Sequence, residues 1–172
     1  MDFMTLLENR RSIRSFTGEP ISEDSKRKIL LAANAAPAAH GKYDSVHLTD
    51  VTNKEILAEL EKNMADMLQM YDRSFLHNTP ELIIVSTAST DNVGYSNASI
   101  IAHNMVLAAV DEGVGACHIW GCIMALCQNP ELIKKLGIPE GFTPVCAVSL
   151  GKTTETYIKR EIPENRIQIN YL

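Results

Sequence analysis

Two spacings of apolar residues run through this chain, and they divide it into helices and strands. Residues 2–9 read as a short helix with Asp2 at its N-cap. Ser22, followed by Glu23 and Asp24, opens a second helical segment, which Pro37 closes. Residues 45–51, SVHLTDV, alternate as a strand does. TNKE at 52–55 has the form of a capping box ahead of a helix in which Leu57, Leu60, Met64, Met67 and Tyr71 recur every three or four positions. ELIIVSTA at 81–88 and TPVCAVSLG at 143–151 are continuous apolar runs, the pattern of strands covered on both faces. Between them, residues 97–113 are apolar on nearly every side, as in a helix enclosed by protein, and Gly113 ends it. VGACHIWGC at 114–122 predicts a short strand or extended passage. Asn129, Pro130 and Gly137 mark the cap, first turn and stop of another helix. The tail from residue 152 has no periodic core, although RIQINYL at 166–172 alternates like an edge strand.

Strands and helices mix here without the regular alternation of a doubly wound sheet, so an α+β sandwich is expected. The length of 172 residues and the absence of a linker or repeat predict a single domain over 1–172. A net charge of −5, from 16 Lys and Arg against 21 Asp and Glu, argues against nucleic acid or an anionic membrane as partner. The most apolar stretch, 98–110, is interrupted by His103 and Asn104 and is too short to span a bilayer. The N-terminus lacks the form of a secretory signal, so a soluble, cytoplasmic protein is expected. Cys117, Cys122, Cys127 and Cys146 lack C-x-x-C spacing and read as reduced, buried thiols. The five histidines show no H-x-x-x-H pairing, and no metal site is expected.

Against that acidic background, LLENRRSIRSF at 6–16 carries three arginines within five positions. A helix would stack Arg10 on Arg14 and set Arg11 beside them, a repulsive patch. An extended chain instead points Arg10, Ser12 and Arg14 to one side and Arg11, Ile13 and Ser15 to the other. A row of charge, hydroxyl and charge suits a phosphate. Neither a P-loop nor a G-x-G-x-x-G fingerprint is present, and Gly113, Gly115 and Gly121 have the wrong spacing for one. No G-x-S-x-G appears either.

NRRSIRSF near the start, AANAAPAAHGK after the second helix, DEGVGACHIWG closing the central helix and VSLGK before a basic tail resemble, in order and distance, the FMN-dependent nitroreductase family. The resemblance covers nearly the whole chain. It implies a nitroreductase-like sandwich with a mostly antiparallel sheet flanked by helices, assembled as an intertwined homodimer with FMN at the subunit interface. Residues 152–172 would be the C-terminal extension that reaches the partner subunit.

The same resemblance implies a flavin site made by Arg10, Arg11, Ser12 and Arg14, with Lys159 and Arg160 completing the phosphate end. Pro37, Ala38, Ala39 and Gly41 would let backbone approach the ring. Trp120 and Gly121 would present backbone N–H groups to flavin N5 and O4, and Asp72 and Arg73 are weaker candidates for a pyrimidine contact. The loop 40–45 departs from the family's asparagine and glutamine-proline-tryptophan pattern. The implied reaction is ping-pong: NAD(P)H delivers hydride to FMN, which passes it to a nitroaromatic, a quinone or a similar conjugated acceptor, with no catalytic side chain required. A flavin-binding carrier or sensor without nicotinamide turnover is the alternative. An acidic scaffold without flavin, or another flavin reaction such as dehalogenation or desaturation, is also compatible with the residues.

Overall fold

Capping decides where the helices begin. In the computed structural model, which describes residues 1–172, α1 (Phe3–Asn9) starts where the Asp2 carboxylate accepts the Thr5 N–H. α2 (Glu23–Asn34) starts where the Ser22 hydroxyl accepts the Ser25 N–H. The cap of α3 (Lys54–Leu68) is Asn53, not Thr52 as a capping box would have it: the Asn53 amide oxygen accepts both the Glu55 and Ile56 N–H groups. Gln69, at φ 54, turns the chain out of α3, so Tyr71 leaves the apolar stripe and is exposed in the following loop. α4 (Asn92–Asp111) begins earlier than its apolar run, since Asp91 accepts the Gly94 N–H.

The strands β1 (Val46–Val51), β2 (Glu81–Thr87), β3 (Gly115–Ile119) and β4 (Thr143–Gly151) form one sheet in the order β1-β2-β4-β3, antiparallel throughout. Two short helices, α5 (Gly121–Leu126) and α6 (Pro130–Lys135), lie between β3 and β4. The extended passage expected over 114–122 therefore stops at Ile119. The Trp120 carbonyl accepts N–H groups from Ile123 and Met124, and the helix it starts buries Cys122, Ile123, Ala125 and Leu126. No strand forms at 166–172, where Ile167, Ile169 and Tyr171 are exposed. Cys127 is also exposed, unlike the other three thiols, because it follows the buried turn of α5.

The inner strands explain the unbroken apolar runs. Ile83, Val85, Val148 and Leu150 face α2 and α4 in one core cluster, while Leu82, Ile84, Cys117 and Ile119 face α3, α5 and α6 in a second. Each strand thus packs on both faces, which gives an α+β sandwich with helices on either side. One carboxylate is enclosed in this frame. The Lys26 ammonium on α2 lies 2.9 Å from Asp50 and 3.1 Å from Glu81, whose side chain is almost wholly buried. One cation serves two carboxylates, and burial followed by the Asp50 charge pushes the Glu81 pKa up to about 7.

Candidate functional site

Residues 10–17 leave α1 as an irregular segment laid against β3. The Ile13 N–H donates to the Ala116 carbonyl at 2.9 Å, Thr17 N–H to Lys152 at 2.9 Å, and the Ile13 side chain is fully buried. That anchor leaves Arg11 and Arg14 exposed and Arg10 and Ser12 half-buried. Burial pushes the Cys117 thiol pKa up, the nearby Arg14 and Arg10 charges draw it back, and Arg11 pairs with Glu155 at 3.2 Å. Phe16 continues the segment over the paired glycines Gly115 and Gly151, where a side chain on either would press into it.

The tail supplies the opposite wall. Residues 152–160 run back beside residues 7–17 of their own chain. Thr153 donates to the Ser15 carbonyl at 2.6 Å, Tyr157 to the Val114 carbonyl at 2.7 Å, and the Arg160 N–H to the Glu8 carbonyl at 3.2 Å. Lys159 points outward to Glu8 at 3.0 Å. Arg160 sends one guanidinium nitrogen to the Leu7 carbonyl at 3.3 Å and keeps a buried Nε without a partner. Arg10 is held in its neighbourhood, and its pKa is lowered first by burial and then by the Arg160 charge.

Two histidines border this basic region. His103 on α4 and His118 on β3 stack with ring centroids 5.8 Å apart and planes 11° from parallel. Loss of solvent comes first in lowering both pKa values, and Arg10 lowers each further. Arg10 and Arg160 therefore carry the positive charge of this region, in a chain of net negative charge, while the rings are biased toward their neutral form. Glu155 lies on the Arg11 side of the row.

Beyond His118, β3 delivers Trp120 to the surface at 65 % exposure, and its N–H makes no backbone hydrogen bond. An open, mostly apolar cleft of about 640 Å³ runs beside it, with Tyr95, Met124, Pro144 and Cys146 in its walls. β3 pairs with β4 only from Ala147 onward, so this cleft follows the edge of β4 that β3 leaves uncovered. Gly121 sits close under Met64, whose Cε would stand 3.0 Å from a Cβ there. The loop bearing Pro37, Ala38, Ala39 and Gly41 is pinned elsewhere: the Ala39 N–H donates to the buried Asn97 on α4 at 3.2 Å, and no hydrogen bond joins this loop to the arginine row. Asp72 and Arg73 line a second cleft, of about 650 Å³, between α3 and the 71–80 loop.

Residues 7–152 match the family model of the nitroreductases. The chain belongs to the nitroreductase family. Its fold superposes on a nitroreductase with bound FMN from Desulfitobacterium hafniense with a TM-score of 0.86, at 23% identity over 98% of this chain and 97% of that one. It is 29% identical over 160 residues to a Cr(VI) reductase of a Pseudomonas strain, covering 85% of this chain and 64% of the relative. It is 30% identical over 152 residues to an NADPH-flavin oxidoreductase of Vibrio harveyi, covering 82% of this chain and 61% of the relative. The chain thus spans less than two thirds of the length of those two enzymes.

Within this nitroreductase fold, the residues fit a phosphate-bearing flavin at one end. Arg160 has a buried donor without a partner, and Arg10 makes no ion pair. A dianion between them would satisfy the first and relieve the repulsion that both feel. Three participants carry no sequence signal of their own: Glu155 and Tyr157, in an aperiodic tail, and His103, which reads as an interruption of an apolar helix.

Proposed function

We propose that this nitroreductase-family chain is an FMN-dependent oxidoreductase that transfers hydride from NAD(P)H to a nitroaromatic, a quinone or a similar conjugated acceptor, in the cytoplasm and as a homodimer. The observation that carries the reading is the pair Arg10 and Arg160, two partly buried guanidinium groups that repel each other, with an orphaned donor and no salt bridge to either. FMN, when bound, supplies the two-electron chemistry itself. The protein's part is to hold and shield. Arg10, Ser12 and Arg160 grip the phosphate, and Arg14 reaches along the row. The free Trp120 N–H offers a donor to a ring acceptor, while the apolar cleft beside Trp120 keeps water from the reacting face.

The dimer follows from what one chain leaves apart. Pro37, Ala38, Ala39 and Gly41 do not meet the arginine row within a chain, so a second copy is needed to bring such a loop to it. Exposed Val93, Tyr95 and Ile100 on α4 and Ile167, Ile169 and Tyr171 in the tail offer the apolar surface for that contact. Residues 1–172 act as one domain, and the tail beyond residue 160 is the part that crosses to the partner. No helix is long and apolar enough to cross a membrane.

The test is an absorption spectrum followed by anaerobic stopped-flow mixing. Protein purified with FMN should be yellow, bleach on addition of NADH or NADPH, and regain its colour when a nitroaromatic or quinone is added. Bound flavin that neither nicotinamide bleaches would make the chain a carrier. A colourless protein that FMN cannot restore would remove the flavin altogether.

A further inference from the structure

We infer that Glu155 is the positioning residue of the phosphate site, holding the arginine row in register while staying out of contact with the anion. The inference rests on the flavin reading above and adds to it a residue that makes no flavin contact. Glu155 uses both carboxylate oxygens on the row: Oε1 accepts the backbone N–H of Arg14 at 3.0 Å, and Oε2 pairs with the Arg11 guanidinium at 3.2 Å. Its own position is fixed in turn. The Glu155 N–H donates to the Thr153 hydroxyl at 3.0 Å, and that hydroxyl donates to the Ser15 carbonyl at 2.6 Å.

The Arg14 N–H is thus held by Glu155, and the neighbouring Ile13 N–H is held by the Ala116 carbonyl with its side chain buried. With its guanidinium drawn to Glu155, Arg11 is kept from the end of the site where Arg10 and Arg160 meet. Without these bonds, Arg11 can swing toward the phosphate end. Arg11 is therefore the handle by which the row is gripped, and the phosphate ligands are its neighbours.

The experiment measures FMN release from the full-length holoprotein, read as the recovery of flavin fluorescence on dilution, for wild type, Glu155→Ala, Glu155→Gln, Arg11→Ala and the Glu155→Ala/Arg11→Ala double variant. Glu155→Ala should release FMN about tenfold faster. Arg11→Ala should come close to it, and the double variant should add little, because both remove one link. Glu155→Gln should fall between, since its amide oxygen still accepts the Arg14 N–H while the charge on Arg11 is lost. Thermal unfolding of the flavin-free variants should stay close to wild type.

Wild-type protein that holds FMN while both single variants hold it equally well would overturn the positioning role and leave the flavin reading intact. Additive losses in the double variant would overturn it too, by making Arg11 a ligand in its own right, as would tighter binding in Glu155→Ala. A drop in flavin-free unfolding that matches the loss of FMN would assign Glu155 to the fold alone. Wild-type protein that takes up no FMN overturns both readings.

Discussion

Replacing Arg10 with methionine should separate binding from stability, because this side chain serves the two in opposite directions. Methionine keeps most of the apolar stem and removes only the charge. Arg10 is partly buried, makes no ion pair and is repelled by Arg160, and both burial and repulsion disfavour its charged form. Removing the charge should leave flavin-free stability unchanged or raise it by up to about 1 kcal/mol, the range of a partly exposed charge interaction. With FMN present the same guanidinium donates charge-assisted hydrogen bonds to a dianion, and losing them costs about 1.5–3 kcal/mol, or roughly 10- to 150-fold in affinity. The assay pairs urea denaturation of the flavin-free protein with FMN titration followed by flavin fluorescence. Arg160→Met gives a parallel measurement on the opposite wall. An Arg10→Met protein that unfolds more easily and binds FMN as tightly as wild type would refute the argument, since Arg10 would then be a structural cation.

The cluster of Lys26, Asp50 and buried Glu81 predicts a pH dependence of stability. The folded-state pKa of Glu81 lies at about 7 against an ordinary 4.5, so the folded state keeps a proton that the unfolded chain releases. Stability should therefore fall as pH rises from about 4.5 to 7 and level off above, by about 3 kcal/mol at most. Glu81→Gln should remove that slope in urea denaturation at pH 5, 7 and 9, and parallel curves for variant and wild type would show that Glu81 does not titrate there. Gly151→Ala should destabilise the protein by about 1–3 kcal/mol through overpacking. A Cβ at residue 151 would stand 2.6 Å from Pro80 Cδ and 3.0 Å from Phe16, on the segment that continues the arginine row. Calorimetry should show a lower Tm together with weaker FMN retention, and an unchanged Tm would mean that Phe16 and Pro80 shift freely.

What the sequence determined by itself lies where neighbours along the chain interact. Asp2, Ser22 and Asn129 cap their helices because a short polar side chain reaches an N–H two or three residues on. The apolar runs of β2 and β4 are legible because a strand packed on both faces has no polar side to show. What the tertiary structure decided depends on partners far apart in sequence. Which face of the row meets β3 is set by Ile13 on Ala116 and by Glu155, more than 140 residues downstream of Arg14. Neither leaves a periodic trace, since a tail bound by single hydrogen bonds has no repeating apolar side. The turn at Trp120 escaped the pattern for a related reason: a six-residue helix is too short to complete two turns of its period. The charge of the Lys26, Asp50 and Glu81 cluster likewise exists only once α2 lies across β1 and β2, where burial makes one ammonium answer for two carboxylates.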